Sequence, residues 1–290
     1  MAEITAQLVK ELRDMTGAGM MECKKALEEA DGNIEAAVDV LRTRGLAAAA
    51  KRAGRATNEG LIVAAIAADY RSAAIAEVNC ETDFVSRNEV FAGYAKRVAE
   101  AVLTGAPADV EALLAIPSGN ETIGEMITEA IHTIGENIQI SRCLRATVDT
   151  GMIASYIHAG GRLGVLVTLK LGNQSNADNA DVRALAKDIA MQVAAANPGA
   201  VQREDFAPEL IEREIAIYRA QAAESGRPED IQAKMIDGRL EKFYRETTLL
   251  EQEFIKDNDK TIKQVIDAVA QAVGDSIEVS GFERFELGQG

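Results

Sequence analysis

Few residues of this sequence have the type and spacing that a catalytic or metal site requires. The histidines are His132 and His158, and the cysteines are Cys23, Cys80 and Cys143. None has a second histidine or cysteine at metal-ligand spacing, and the sequence contains no phosphate-binding loop and no Gly-x-Ser-x-Gly elbow. Three widely separated cysteines indicate reduced thiols, as in a cytoplasmic protein. We therefore expect a protein that is not an enzyme and that needs neither a cofactor nor a metal.

The charge balance excludes several classes of partner. The 290 residues contain 31 Lys and Arg against 46 Asp and Glu, which gives a net charge of −15. Phosphate backbones and anionic membranes attract clustered positive charge, so we expect neither nucleic acid nor a membrane as a partner. No apolar run is long enough to cross a bilayer, and Met1–Thr5 does not begin a secretory signal. The expectation is a cytoplasmic protein that acts through another protein.

An aromatic residue stands in a polar loop where local structure does not require it. Ser86 and Glu89 fit a capping box, which predicts that a helix begins at Arg87, with Val85 before the cap as a hydrophobic staple. Phe84 has no comparable local role. It is either the anchor of a partner or a plug of the core. A desolvated aromatic anchor contributes about 2 kcal/mol or more to binding.

Residues 1–45 read as three short helices. Asp31 and Gly32 end the second helix, Asn33 can cap the third, and Gly45 closes the unit. Cys23 lies on the apolar face of the second helix and is predicted to be a core residue. The Ala-rich segment 46–59 is interpreted as a linker, partly helical and solvated.

Two methionines open the second helix. Met20 and Met21 are adjacent, and adjacent helical positions diverge by about 100°, so only one of them can easily point inward. An exposed methionine beside a Gly-rich loop suits an adaptable protein contact. The alternative is a loosely packed core methionine.

The rest of the chain repeats itself, as residues 60–150 and 151–290. A shift of 91 positions aligns the first part of each copy, so that Gly60 matches Gly151. Each copy begins with a β-hairpin, with turns near Asp69–Arg71 and Gly160–Arg162, and continues with a helix. The ends of the copies align at a shift of 139, with a C-terminal module from about residue 261. The pattern predicts an α+β fold.

The second copy therefore holds 48 additional residues, at about 198–250. Two apolar stripes at helical spacing are formed by Ile211, Ile215, Tyr218 and Ala222 and by Ile236, Leu240 and Phe243. With Ser225–Pro228 between them, they predict a helical hairpin with arms of about 30 Å. The hairpin either projects towards a partner or folds back on the core. Its deletion is expected to spare core folding and to alter assembly.

Comparison of the copies isolates two residues. The loop that matches Thr82–Val85 is Asn173–Asn176, which is wholly polar, so the duplicated fold does not require Phe84. His158 matches Ala67 and precedes a tight turn. A lone histidine near a turn is more often a surface or hydrogen-bonding residue than a functional one.

Two long stretches, Leu12–Leu27 and Glu77–Arg87, with the ending Gly281–Leu287, carry a family resemblance. The chain resembles the bacterial elongation factor Ts family, the guanine nucleotide exchange factors of elongation factor Tu. The resemblance implies an N-terminal three-helix domain like the ubiquitin-associated domain. It also implies two duplicated core subdomains with antiparallel sheets, the second with an inserted coiled-coil hairpin.

The resemblance also implies roles for matched residues. Met20 and Met21 match positions that contact the GTPase domain of elongation factor Tu in its GDP-bound form. Thr82, Asp83, Phe84 and Val85 match a segment that intrudes into that domain, dislocates Mg²⁺ and promotes GDP release, after which GTP displaces the factor. His158 matches a further contact, and the C-terminal segment is expected to touch the partner.

Other functions stay open at this point. One is an adaptor that binds ubiquitin-like partners through the N-terminal helices, and another is a structural or oligomerising protein. A homodimer of the factor through the helical hairpin is a further possibility. The aromatic loop, absent from the second copy, favours nucleotide exchange.

Overall fold

Three helices form the start of the molecule. The computed structural model describes residues 4–16 and 18–289, so the segment Met1–Thr5, considered above as the start of a secretory signal, lies partly outside the described residues. The helices are α1 Ala6–Thr16, α2 Met20–Glu29 and α3 Ile34–Arg52. They bury Leu12, Cys23, Leu27 and Leu41 in one cluster. The predicted core position of Cys23 is confirmed, and so is the cap, since the Asn33 side chain accepts from the Ala36 amide.

The third helix does not end at Gly45, as the sequence predicted, but continues to Arg52. A glycine inside a helix costs only about 1 kcal/mol, and the Ala-rich run beyond it favours helix. Tertiary packing adds to this preference, because Ala49 packs against the core that follows and the Arg52 Nε donates to the Gly135 carbonyl at 2.9 Å. The prediction that the segment 46–59 is partly helical is confirmed, but residues 46–52 continue α3 and contact the core, so they are not a solvated tether.

Two antiparallel three-stranded sheets follow, as the α+β prediction requires. The first sheet has the order β1-β2-β5, with β1 Glu59–Ile66, β2 Ser72–Cys80 and β5 Ile138–Thr147. The second has the order β10-β7-β6, with β6 Gly151–Ile157, β7 Leu163–Leu171 and β10 Ile277–Glu286. Both predicted hairpin turns are confirmed.

Helices cover one face of each sheet. Against the first sheet pack α5 Glu89–Gly105 and α7 Ile123–Ile134. Against the second pack α8 Ala180–Ala196 and α11 Ile262–Val273. The short elements are α4 Asp83–Ser86, α6 Val110–Leu114, β3 Pro117–Ser118, β4 Glu121–Thr122, β8 Glu253–Phe254 and β9 Asp257–Thr261.

The other faces of the two sheets meet. Ile62, Ile75, Ile153 and Leu166 are buried together between them. Reciprocal backbone bonds join the hairpins at the 91-residue offset: the Ile62 amide donates to the Gly161 carbonyl, and the Ile153 amide donates to the Tyr70 carbonyl, both at 2.7 Å. The two halves therefore hold each other through equivalent contacts.

Two helices of the second copy, α9 Pro208–Glu224 and α10 Glu229–Thr247, pack against each other. Their base is fixed by the rings of Phe206, Phe243 and Tyr244. The flanking residues Val201 and Leu249 belong to the core of the second sheet. Deleting all of residues 198–250 would thus remove core side chains, so a deletion that spares the core must be limited to residues 208–247.

Candidate partner-binding site

Phe84 lies outside the core. Its side chain is 84% exposed, on the one-turn helix α4 that follows β2. The hydroxyl of Thr82 caps this turn by accepting from the Val85 amide at 3.4 Å. Val85 is half-buried and packs against the core of the first sheet. The core-plug alternative for Phe84 is therefore wrong: Val85 fastens the turn, and Phe84 projects from it.

The capping box predicted at Ser86 is wrong. Ser86 lies inside α4, and its hydroxyl donates to the Asp83 carbonyl at 3.0 Å. The following helix, α5, begins at Glu89, and Asn88 is its cap, accepting from the Val90 amide at 2.8 Å. Thr82 caps the one-turn helix α4 and Asn88 caps α5, so Ser86 lies inside an extra turn that the sequence pattern did not predict. Because Val90 is exposed, no hydrophobic staple forms with Val85.

A carboxylate that sequence reasoning missed holds the base of this loop. Glu136 accepts from the amides of Glu81 and Thr82, at 3.1 and 3.0 Å, and from the Thr82 hydroxyl at 2.6 Å. The signal was the strand register. Since Cys80 pairs with Ile138 in an antiparallel ladder, residue 136 must lie opposite residue 82.

Neighbouring charges complete the base of the loop. The Glu81 carboxylate accepts from the Asn137 amide at 2.7 Å and pairs with Arg55 at 3.3 Å. Asp83 pairs with Arg87 at 3.0 Å, but both side chains are well exposed, so this pair contributes little to stability. Asp83 is thus free to exchange Arg87 for a partner group.

Cys80 is not a reactive thiol. It is fully buried, and its Sγ lies 3.2 Å from the Thr82 carbonyl. Burial, and next the negative charge of Glu136, raise the pKa of the Cys80 thiol to about 12. Because the thiolate is the nucleophile, this cysteine is inert at neutral pH, and it packs in the core of the first sheet.

Met20 and Met21 form a second exposed apolar feature. They are 56% and 65% exposed in the first turn of α2, so the alternative of a loosely packed core methionine is wrong. The next residue, Glu22, places its Oε2 3.3 Å from the Nε2 of His132, a nearly buried side chain of α7. The structure thus places His132 on α7, at the point where α2 meets the core.

His158 lies at the end of β6, in the turn that leads to β7. Its side chain is exposed, with Nδ1 3.0 Å from the Tyr156 hydroxyl. The structure thus brings Thr82, Asp83, Phe84 and Val85 together on one turn. The methionines of α2 and His158 belong to separate elements.

Neither a metal centre nor a membrane span emerges from the described part of the chain. Across residues 4–16 and 18–289, no three His, Cys, Asp or Glu side chains are grouped so that they could hold a metal ion. Over the same residues, no helix combines the length and apolar character needed to cross a membrane.

Comparison with known proteins decides the family. A family model described as Elongation factor TS matches residues 81–289, which is more than half of the chain. Elongation factor Ts of Desulfovibrio desulfuricans is 48% identical over 289 residues, covering 99% of both chains. The chain belongs to the elongation factor Ts family. Elongation factor Ts of Trichlorobacter lovleyi is 47% identical over 296 residues, covering 99% of this chain and 93% of the relative.

Elongation factor Ts of Clostridium perfringens is 47% identical over 288 residues, covering 99% of this chain and 94% of the relative. Membership of the elongation factor Ts family implies a role in protein biosynthesis. The role is that of a nucleotide exchange factor, and the implied partner is elongation factor Tu. This agrees with the resemblance carried by Leu12–Leu27 and Glu77–Arg87.

Proposed function

We propose that this chain binds the GDP-bound form of elongation factor Tu and inserts the turn Thr82–Val85 into its GTPase domain. The insertion dislocates Mg²⁺ from the partner, GDP leaves, and GTP then displaces the factor. The observation that carries the proposal is Phe84, an aromatic side chain 84% exposed on a turn whose base is fixed by hydrogen bonds. A rigid exposed aromatic can enter an apolar gap at a low cost in conformational entropy.

The energetics require more than one contact. Binding of the factor and of GDP are linked, so the factor weakens GDP by the same ratio by which GDP weakens the factor. A 10⁴-fold change requires about 5.5 kcal/mol of differential binding, whereas one aromatic anchor contributes about 2 kcal/mol or more. We assign the remainder to Met20, Met21, His158 and the C-terminal segment. Loss of Mg²⁺ adds to the effect, because this ion is the largest local charge at a nucleotide's phosphates.

The decisive experiment follows release of fluorescent GDP from elongation factor Tu by stopped flow. Phe84→Ala should reduce the stimulated rate by about 30-fold, which is the kinetic equivalent of about 2 kcal/mol. Its thermal unfolding should stay close to wild type, because the side chain is exposed. Ser175→Ala, the matched position of the second copy, is the control and should keep the wild-type rate. A wild-type rate for Phe84→Ala would refute the insertion mechanism.

We further propose that the N-terminal helices form a domain like the ubiquitin-associated domain and that α9 and α10 are an assembly element. Exposed Leu210, Ile217 and Ile231 on these helices support the second part. A variant with residues 208–247 replaced by a short Gly-Ser linker should retain cooperative unfolding. Light scattering of the intact chain and of this variant should then give different numbers of subunits per particle, and equal numbers would refute the role. Family membership favours exchange over the adaptor alternative, and a cytoplasmic location stays a prediction.

A further inference from the structure

On the basis of the proposed function, we propose that Glu136 is a positioning residue that holds the Phe84 turn in the orientation that enters the partner. Both carboxylate oxygens of Glu136 are engaged. Oε2 accepts from the amides of Glu81 and Thr82, and Oε1 accepts from the Thr82 hydroxyl. Hydrogen bonds to an ionised acceptor are about twice as strong as neutral ones.

The position of Glu136 explains why the turn needs support. The pairing of β2 with β1 and with β5 ends at Cys80. The amides of Glu81 and Thr82 therefore have no strand partner and donate to the Glu136 carboxylate instead. The helix α4 that follows has only four residues, Asp83–Ser86, and a single turn of helix is not stable alone. Its direction therefore depends on its cap.

The cap is itself set by Glu136. The Thr82 hydroxyl donates its proton to Glu136 and so turns an oxygen lone pair towards the Val85 amide, from which it accepts. Phe84 lies between these two bonded residues and has no buried contact that would hold its direction. The carboxylate of Glu136 thus fixes an exposed side chain that it does not touch.

The second copy repeats this arrangement without an aromatic residue. Asp275, which matches Glu136 at the 139-residue offset, accepts from the Asn173 amide at 3.1 Å and from the Asn176 side chain at 2.9 Å. These bonds, the one from Asn176 foremost, lower the pKa of Asp275. The loop that it holds carries Ser175 in place of Phe84. Asp275→Asn is therefore a matched control that removes the same kind of support from the loop of the second copy.

The test compares Glu136→Gln with Asp275→Asn in the fluorescent-GDP release assay. Glutamine keeps the length of the side chain, but only one of its terminal atoms can accept. Glu136→Gln should lower the stimulated rate by about tenfold, whereas Asp275→Asn should leave it at wild type. Thr82→Val should repeat the loss, because it removes the hydroxyl that donates to Glu136.

A double-mutant cycle separates positioning from general destabilisation. In a Phe84→Ala background, Glu136→Gln should have almost no further effect, since the group that it positions is gone. An unchanged rate for Glu136→Gln alone, with Phe84→Ala impaired, would overturn the role of Glu136 and leave the proposed function standing. The same tenfold loss with and without Phe84 would also overturn it. A wild-type rate for Phe84→Ala would instead overturn the proposed function.

Discussion

The loops that follow β2 and β7 occupy matched positions, yet they use their side chains in opposite ways. Both end at an asparagine that caps the next helix: Asn88 accepts from Val90, and Asn179 accepts from Asp181. Both are held by an acidic residue of the neighbouring segment. The difference between them is confined to the few residues in between.

In the second loop, those residues bond within the molecule. The side-chain amide of Gln174 accepts from the Gly151 amide at 2.7 Å and donates to its carbonyl at 3.0 Å, and the Ser175 hydroxyl donates to Asn173 at 2.9 Å. In the first loop, the matched residues are Asp83, whose pair with Arg87 is well exposed, and Phe84, which faces solvent. One scaffold thus supports a loop whose side chains bond within the molecule and a loop that exposes an aromatic side chain. If the proposed function holds, the capacity to bind lies in these side chains rather than in the fold.

Grafting the closed loop onto the open one should produce the largest effect. A variant with Asp83→Gln and Phe84→Ser carries the residues of the second copy in the first. We expect GDP release from elongation factor Tu to slow by roughly 30- to 100-fold, because both the aromatic and the charge are lost. Stopped-flow fluorescence measures the rate, and circular dichroism should show unchanged unfolding. A graft that still stimulates release would mean that the two loops do not differ in function.

The matched glycines test whether the two sheets are equivalent in stability. Gly60 and Gly151 have positive φ angles of 152° and 143°, and an added Cβ would clash with the carbonyl oxygen of Val78 or Leu169 on the neighbouring strand. Alanine at either position should lower the free energy of unfolding by about 2 kcal/mol, as measured by urea denaturation. Unequal losses would show that the halves are not energetically alike.

The two copies should also differ in how their stability depends on alkaline pH, because β2 ends at Cys80, which can lose a proton, whereas the matched residue of β7 is Leu171. The folded-state pKa of Cys80, about 12, is raised above the ordinary 9.0. A raised pKa means that the stabilisation is complete below about pH 9 and is lost as pH rises towards 12, since the unfolded chain releases the proton first.

Between about pH 9 and 12, the free energy of unfolding of the wild type should therefore fall by up to about 1.4 kcal/mol per pH unit relative to that of Cys80→Ala. Urea denaturation between pH 8 and about 10.5 measures the difference between the two proteins, which cancels the titration of other groups. Parallel curves would contradict a buried thiol at this position.

Local patterns in the sequence predicted much of the architecture. Periodicity and the matched hairpins indicated both sheets and their turns, and Asn33 was identified correctly as a cap. The errors arose where several local signals competed or where packing decided. Ser86 and Asn88 are both suitable cap residues, and Asn88 becomes the cap because Ser86 lies in the extra turn α4. Helix α3 continues beyond Gly45 because it packs against α7.

The candidate site was predictable in its residues but not in its support. An aromatic in a polar loop that has a polar counterpart pointed to Phe84. Glu136 contacts Thr82, which is 54 residues away along the chain, and His132 contacts Glu22, which is 110 residues away. No local sequence pattern contains both partners of either contact. Register could have placed Glu136 once the ladder of β2 and β5 was known, whereas the contact of His132 depends on how α2 docks on α7.

The smallest expected effect concerns the methionines of α2, which extend the comparison from the loops to a second apolar surface. Met20→Ala combined with Met21→Ala should weaken the affinity for GDP-bound elongation factor Tu by roughly tenfold, less than the graft, because a flexible methionine is a weaker anchor than an aromatic. Met15→Ala, which removes a methionine 63% exposed on α1, is the matched control and should bind as wild type. Isothermal titration calorimetry measures the three affinities. Equal losses for both variants would mean that the exposed methionines of the N-terminal helices act without positional preference, and would overturn the assignment of a specific contact to Met20 and Met21.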